Sequence, residues 1–334
     1  MSKSEFKSSP SISREAAAYF KETFTRAARD GLFYPEPDDR EGWTRFNEAA
    51  IAERAGYNAA LIRRYSPQLE RRTVAGVPVV DIRPEEWRHK DKVVVYTHGG
   101  GYVGGQAEDA LDSTLPLATE SGLRIISISY TLAPHAKFQR VTDETVAVLH
   151  GLRAEGVAVQ DIAILGDSAG GGLAAATALK YRDIHRELLA GVVLWSPWCD
   201  LTGGGDSYAT LSDVEPFFTY PEHLRKAALA YAEFNQMSNP YASPLFGDFA
   251  AGYPPTLIQV GTHELLLSDS VRLYRSLRAA GQSACLDIYD GMWHVFQFKP
   301  IDSPEAQAAR RRTAEFLLTQ FREAGASHDS STPP

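Results

Sequence analysis

Six runs of strand length constrain this chain most: Val93–Thr97, Arg124–Tyr130, Ile162–Leu165, Gly191–Trp195, Thr256–Val260 and Leu286–Tyr289. Most are continuously apolar, the pattern of strands covered on both faces. Segments long enough for helices separate them, at about 107–121, 141–155, 168–183 and 268–281, with a last one near 303–324. Such alternation predicts an α/β fold with a mostly parallel, doubly wound sheet. Upstream, Arg72–Val74 and Val77–Ile82 flank an Ala-Gly hairpin signal. Before them "SREAAAYFKETFTRAARDG" and "WTRFNEAAIAERAG" read as two helices, each closing on a glycine. Sixty residues lie between Trp195 and Thr256, too many for one crossover helix. That gap predicts a helical excursion above the sheet, which together with the N-terminal helices would form a lid.

"IAILGDSAGGGLAAATAL", residues 162–179, joins a buried strand to an Ala/Gly-rich helix through Gly166-x-Ser168-x-Gly170. This is the nucleophile-elbow pattern. Side chains two positions either side of a serine in so sharp a turn would collide, so glycine is required there. The turn presents Ser168 at a helix N-terminus, where the backbone dipole favours negative charge. The bland reading is a glycine-rich strand–helix turn with no chemistry.

A serine hydroxyl needs a base to attack at neutral pH. Of the nine histidines, His294 follows the last strand-like run at an Asp290-Gly291 turn. That places it at the carboxyl edge of the sheet, where open α/β folds carry their sites. His263 is its rival, but it stands too close to Glu264 for the two to orient each other. His89, His135, His150, His185 and His223 are expected on the surface. The third partner should be a carboxylate after another strand, between serine and histidine in chain order. "TLIQVGTHELLLSDS" offers Glu264, with Asp269 as runner-up in the position of a helix cap.

"VVVYTHGGGYVGG", residues 93–105, runs a strand straight into three glycines. A phosphate loop would need G-x-G-x-x-G or a Gly-Lys-Ser/Thr ending, and neither is here. Acyl transfer instead needs N–H groups aimed at the oxyanion of a tetrahedral intermediate. The stretch reads as that oxyanion hole, completed by the N–H of Ala169, with His98 bracing the loop.

Four motifs, "HGGGY" at 98–102, "GDSAGG" at 166–171, "SYTLAP" at 129–134 and "GMWHVF" at 291–296, resemble the hormone-sensitive-lipase-like branch of the α/β-hydrolases. This bacterial carboxylesterase group carries a GDSAG elbow, and the resemblance covers about residues 70 to 320. It implies an α/β-hydrolase fold, with a mostly parallel eight-stranded sheet flanked by helices and a helical cap. It also implies that Gly100, Gly101 and Ala169 donate the oxyanion hydrogen bonds. On this reading residues 1–66 contribute to the cap, and 67–325 form the catalytic domain with a cap insertion at about 203–240. Residues 326–334 form a disordered tail. The chain departs from the group's D-P-L-x-D acid motif with "HELLLSD", and from Y-R-L-A-P-E with "YTLAPH". The second departure removes any ion pair those arginine and glutamate residues would make.

The expected activity is serine carboxylesterase chemistry on small to medium acyl or alkyl esters, with Ser168 as nucleophile, His294 as base and Glu264 as its orienting acid. Tyr102, Trp198, Phe217 and Phe218 are candidates for an apolar pocket. The same machinery could open lactones or remove acetyl groups, and a non-catalytic receptor is the rival of another class. No cofactor or metal is expected. A formal net charge of −8 without a Lys/Arg block argues against nucleic-acid and anionic-membrane partners. Cys199 and Cys285 lie outside any CxxC pair and read as buried thiols. With no secretory h-region and no apolar run near the ~18 residues of a span, a cytoplasmic protein is expected, with a possible homodimer through the last strand.

Overall fold

The computed structural model describes residues 6–329. Eight strands form one sheet: β1 (Gln68–Val74), β2 (Val77–Arg83), β3 (His89–Thr97), β4 (Leu123–Ile128), β5 (Ile162–Asp167), β6 (Gly191–Trp195), β7 (Thr256–His263) and β8 (Ala284–Trp293). Their order is β1-β2-β4-β3-β5-β6-β7-β8. β2 is antiparallel to both neighbours, and every pairing from β4 to β8 is parallel. Ala75 and Gly76 turn β1 into β2 with φ values of 48° and 84°, the doubly positive turn that suits a two-residue hairpin.

Ten helices accompany the sheet among the described residues: α1 (Arg14–Thr23), α2 (Arg26–Asp30), α3 (Arg40–Tyr65), α4 (Leu111–Ser121), α5 (Phe138–Ala154), α6 (Ser168–His185), α7 (Ser207–Thr210), α8 (Arg225–Tyr231), α9 (Leu267–Ala279) and α10 (Pro304–Asp329). The continuous apolar runs have a plain cause. Val93, Val95, Ile164 and Val192 bury one face of the sheet with Leu149 of α5, Leu173 of α6 and Leu273 of α9. Their neighbours Val94, Tyr96, Leu165 and Val193 bury the other face with Leu115 of α4 and Leu317 of α10. Strands apolar at every position are the direct result of this two-sided cover.

Several elements differ from the sequence reading. α3 does not close at Gly56 but continues to Tyr65 and ends on Ser66 in the left-handed region. A glycine inside a helix costs only about 0.5–1 kcal/mol, and burial of Asn58 and Leu61 beyond it outweighs that cost. The first predicted helix breaks at Phe24, whose ring packs edge-on to Trp293 and Phe217. α10 runs to Asp329, so 326–329 of the expected disordered tail are helical, and 330–334 lie outside the described residues. The long excursion after β6 is mostly loop, with α7, a π-turn at Tyr220–Leu224 and α8 as its longest helical pieces. Cys199 is buried as expected, whereas Cys285 on the edge strand β8 is exposed. Among the described residues no helix is long and apolar enough to cross a membrane.

Candidate active site

β5 delivers Ser168 to the first position of α6 with φ at 54°, a conformation that a non-glycine residue rarely adopts. The flanking glycines follow from the contacts. A Cβ at Gly166 would run into the carbonyl oxygen of Gly170, and one at Gly170 into those of Thr97 and His98. The elbow is pressed against the end of β3, and any larger residue would push it off. Ser168 lines a cavity of about 410 Å³ at the carboxyl end of the sheet.

β7 and β8 bring a carboxylate and an imidazole to the same end. Nδ1 of His294 lies 2.9 Å from Oε2 of Glu264. Glu264 is fully buried, and its Oε1 accepts from Ser196 Oγ at 2.8 Å and the Gly261 N–H at 2.7 Å. Ser196 Oγ in turn accepts the Val295 N–H at 3.0 Å. Strand ends β6, β7 and β8 therefore hold the pair in one orientation. Burial opposes protonation of His294, but the Glu264 hydrogen bond and charge, with help from Glu215 and Asp167, outweigh it and raise its pKa. His294 lines the same cavity as Ser168.

The rivals go elsewhere. Asp269 is no helix cap: α9 begins at Leu267 without a side-chain cap, and Asp269 Oδ2 accepts the N–H groups of Cys199 and Asp200, each at 2.8 Å. Burial, then the charge of Asp200, pushes its pKa up to about 8. A short carboxylate in the first turn of a helix reaches a neighbouring loop as easily as its own helix end. His263 is partly buried and does not line the cavity. His223, expected on the surface, is buried, with its ring nitrogens on Leu32 O and the Thr219 N–H.

After β3 the glycines turn sharply, with φ of 105° at Gly100 and 63° at Gly101. A Cβ at Gly100 would strike the backbone of Gly104. Both residues line the cavity, and the described residues give their N–H groups no intramolecular acceptor. Ala169 stands in the first turn of α6, where helix geometry leaves N–H groups unpaired. The Gly99 N–H donates to Asp167 Oδ1 at 3.0 Å, and the Tyr96 hydroxyl donates to the same oxygen. This ties the glycine loop to the elbow, and burial pushes Asp167 up to about 6. His98 bonds the Gly99 carbonyl through Nδ1 at 2.7 Å and stacks on Tyr130 at 4.2 Å. Burial takes it down to about 4, so the brace is a neutral ring at ordinary pH.

Phe217 and Phe218 line the cavity, their rings edge-on to His294 with centroids 6.2 and 5.0 Å away. Tyr102 and Trp198 do not. Tyr102, at φ 66°, turns into the core, stacking on Tyr231 at 3.7 Å and on Trp198 at 5.7 Å.

Sequence reasoning missed Glu215. It is fully buried, with Oε1 accepting the Phe217 N–H at 2.8 Å and Oε2 the Leu265 N–H at 3.0 Å. It thus joins the aromatic loop over the cavity to the turn carrying Glu264, and burial pushes it up to about 7. An acidic residue leading the aromatic run "EPFF" was the available signal. Ser196 was missed as well, and its place directly after a buried strand was its only mark.

A serine on a strand–helix elbow, opening into the cavity that also holds a carboxylate-bound histidine, is the arrangement that defines serine hydrolases of open α/β type. Residues 94–298 match the family described as alpha/beta hydrolase fold. The chain is 30% identical over 260 residues to an esterase of Acinetobacter venetianus, covering 77% of this chain and 85% of that one. It is 31% identical over 238 residues to an acetyl-hydrolase of Streptomyces hygroscopicus, covering 71% and 78% of the two chains. A crystal structure of an esterase from the bacterial hormone-sensitive lipase family superposes with a TM-score of 0.75 at 35% identity, over 88% of this chain and 95% of that one. The chain belongs to the bacterial hormone-sensitive-lipase-like esterases of the α/β-hydrolase fold.

Proposed function

We propose that Ser168, His294 and Glu264 act together as nucleophile, general base and orienting acid in a carboxylic-ester hydrolase. The enzyme's class follows from its family; the roles of these residues are our reading. The observation that carries it is the His294–Glu264 hydrogen bond at the wall of the cavity into which the elbow serine opens. Ser168 Oγ attacks the acyl carbon while His294 Nε2 takes its proton. The oxyanion that forms is held by the N–H groups of Gly100, Gly101 and Ala169. The tetrahedral intermediate collapses as His294 returns the proton to the departing alcohol, leaving an ester on Ser168. Water, deprotonated by the same imidazole, then releases the acid and regenerates the serine. Nδ1 donates to Glu264 throughout, which fixes the tautomer that leaves Nε2 free to accept.

A cavity of about 410 Å³ fits small to medium acyl or alkyl esters. Tyr19 and Thr23 from α1, Tyr34, Phe46 and Arg54 from the following segment and α3, and Phe217, Phe218 and Leu224 from the excursion line it. We read these segments as its cap. Deacetylation is the second reading, favoured by the acetyl-hydrolase relative. We also place the protein in the cytoplasm, with two copies pairing through β8, whose outer edge is the end of the sheet.

The pH dependence tests the base. His294 must be neutral to accept a proton, and its raised pKa moves the loss of activity upward. The expected kcat/KM falls as pH drops through a single acid limb lying above the ordinary histidine value of about 6.5. A profile that is flat from about pH 5 to pH 8 would contradict a histidine base.

A further inference from the structure

The ester chemistry leaves one wall of the cavity unexplained. Arg54, Asp109, Asp112 and Lys299 line it, in a pocket otherwise walled largely by aromatic and aliphatic side chains. Asp112 is only 1% exposed, and its Oδ2 accepts no hydrogen bond. Arg54 Nη2 stands 3.6 Å from that oxygen and Lys299 Nζ 3.8 Å. Both distances exceed an ordinary hydrogen bond. The two cations neutralise Asp112 without spending their directed donors on it. Arg54 uses Nη1 on the Asp109 carbonyl at 2.8 Å, and Lys299 lies over the rings of Tyr57 and Phe298.

Charges at an apolar cavity wall are costly unless they are paired and hydrogen-bonded. Arg54 Nη2 and Lys299 Nζ, both on the cavity lining, make no hydrogen bond of ordinary length to the carboxylate they flank, which leaves them as donors for an incoming acceptor. With Asp109 and Asp167 on the same lining the carboxylates match or outnumber the two cations, so the wall attracts an acceptor through its directed donors and not through a net positive charge. A bare alkyl chain meets this wall poorly, whereas an oxygen acceptor satisfies it.

We propose that Arg54 and Lys299, positioned by Asp112, form a subsite for an oxygen-bearing arm of the ester, so that preferred substrates carry hydroxyl or carboxylate oxygens beyond the scissile bond. This rests on the reading of Ser168 as nucleophile in the same cavity. The shared chemistry is an oxygen that accepts from the two cations, and the choice of ester separates its two sources.

The test compares kcat/KM within two pairs of equal heavy-atom count. Glycerol monoacetate against pentyl acetate reports hydroxyl oxygens, and monoethyl succinate against ethyl hexanoate reports a carboxylate. At least one oxygenated ester should lead its alkyl partner by about tenfold, the scale of one charge-assisted hydrogen bond. That ratio should fall toward one in Arg54→Leu and Lys299→Met. If the cations only neutralise Asp112, both members of a pair lose turnover together with Tm, the ratio stays put, and the subsite is refuted. Alkyl esters leading in both wild-type pairs would refute it without any variant. Loss of all four activities in Ser168→Ala upholds the nucleophile whatever the ratios are.

Discussion

Ser168→Ala is expected to lower kcat by roughly 10⁶-fold, the scale seen when the nucleophile of a serine hydrolase is removed. What remains should come from the glycine loop and the cavity acting on bound ester and water. The fold should be unaffected. Alanine takes the left-handed elbow conformation at the same steric cost as serine, and it fits a site already bounded by Gly166 and Gly170. The checks are a steady-state assay beside a melting curve. Turnover within tenfold of wild type in a variant with an unchanged Tm would remove Ser168 from the chemistry.

The second large effect separates two carboxylates only five positions apart. Glu264 accepts three hydrogen bonds, from His294 Nδ1, Ser196 Oγ and the Gly261 N–H. Glu264→Gln has one acceptor oxygen and an NH₂ to replace these, so it must turn a donor toward at least one donor. It favours the wrong imidazole tautomer, and the loss in kcat should approach ~10⁴-fold, as for the equivalent change in a serine protease. Asp269→Asn differs in kind. Its carbonyl oxygen can still accept from Cys199 and Asp200, and it removes a charge that burial disfavours. A carboxylate raised from 3.8 to about 8 in the native state costs stability as pH climbs between those values. Asp269→Asn should therefore keep turnover, and its Tm should decline less than that of wild type as pH rises toward 8. If Asp269→Asn abolishes turnover in a folded protein while Glu264→Gln does not, the acid has been misassigned.

What could be read in the chain was whatever local sterics or two-sided burial imposes. The sheet announces itself because residues such as Val93 to Val95 alternate between two buried faces. The elbow does so because only glycine tolerates the carbonyl oxygens around positions 166 and 170. His294 was legible from its place after the last strand. Glu215 was not, since it works through N–H groups on either side of the cavity loop, one of them far along the chain. Arg54, Asp112 and Lys299 come from three separate segments, and only the folded chain makes them neighbours. Tyr102 misled because an aromatic beside a glycine loop does not disclose which way its backbone points, and Trp198 because a residue just past a strand end can turn into the core, where it stacks on Tyr102. Asp269 misled because a helix-cap pattern and a loop anchor look alike in one dimension.

The central claim is that one serine, activated at the elbow, becomes covalently acylated. A serine-directed organophosphate tests it most directly, with intact-mass measurement followed by peptide mapping. The account predicts one adduct per chain, located on Ser168, with ester hydrolysis lost in step with labelling and no adduct on Ser168→Ala. Inactivation that places the adduct on any other residue would contradict it.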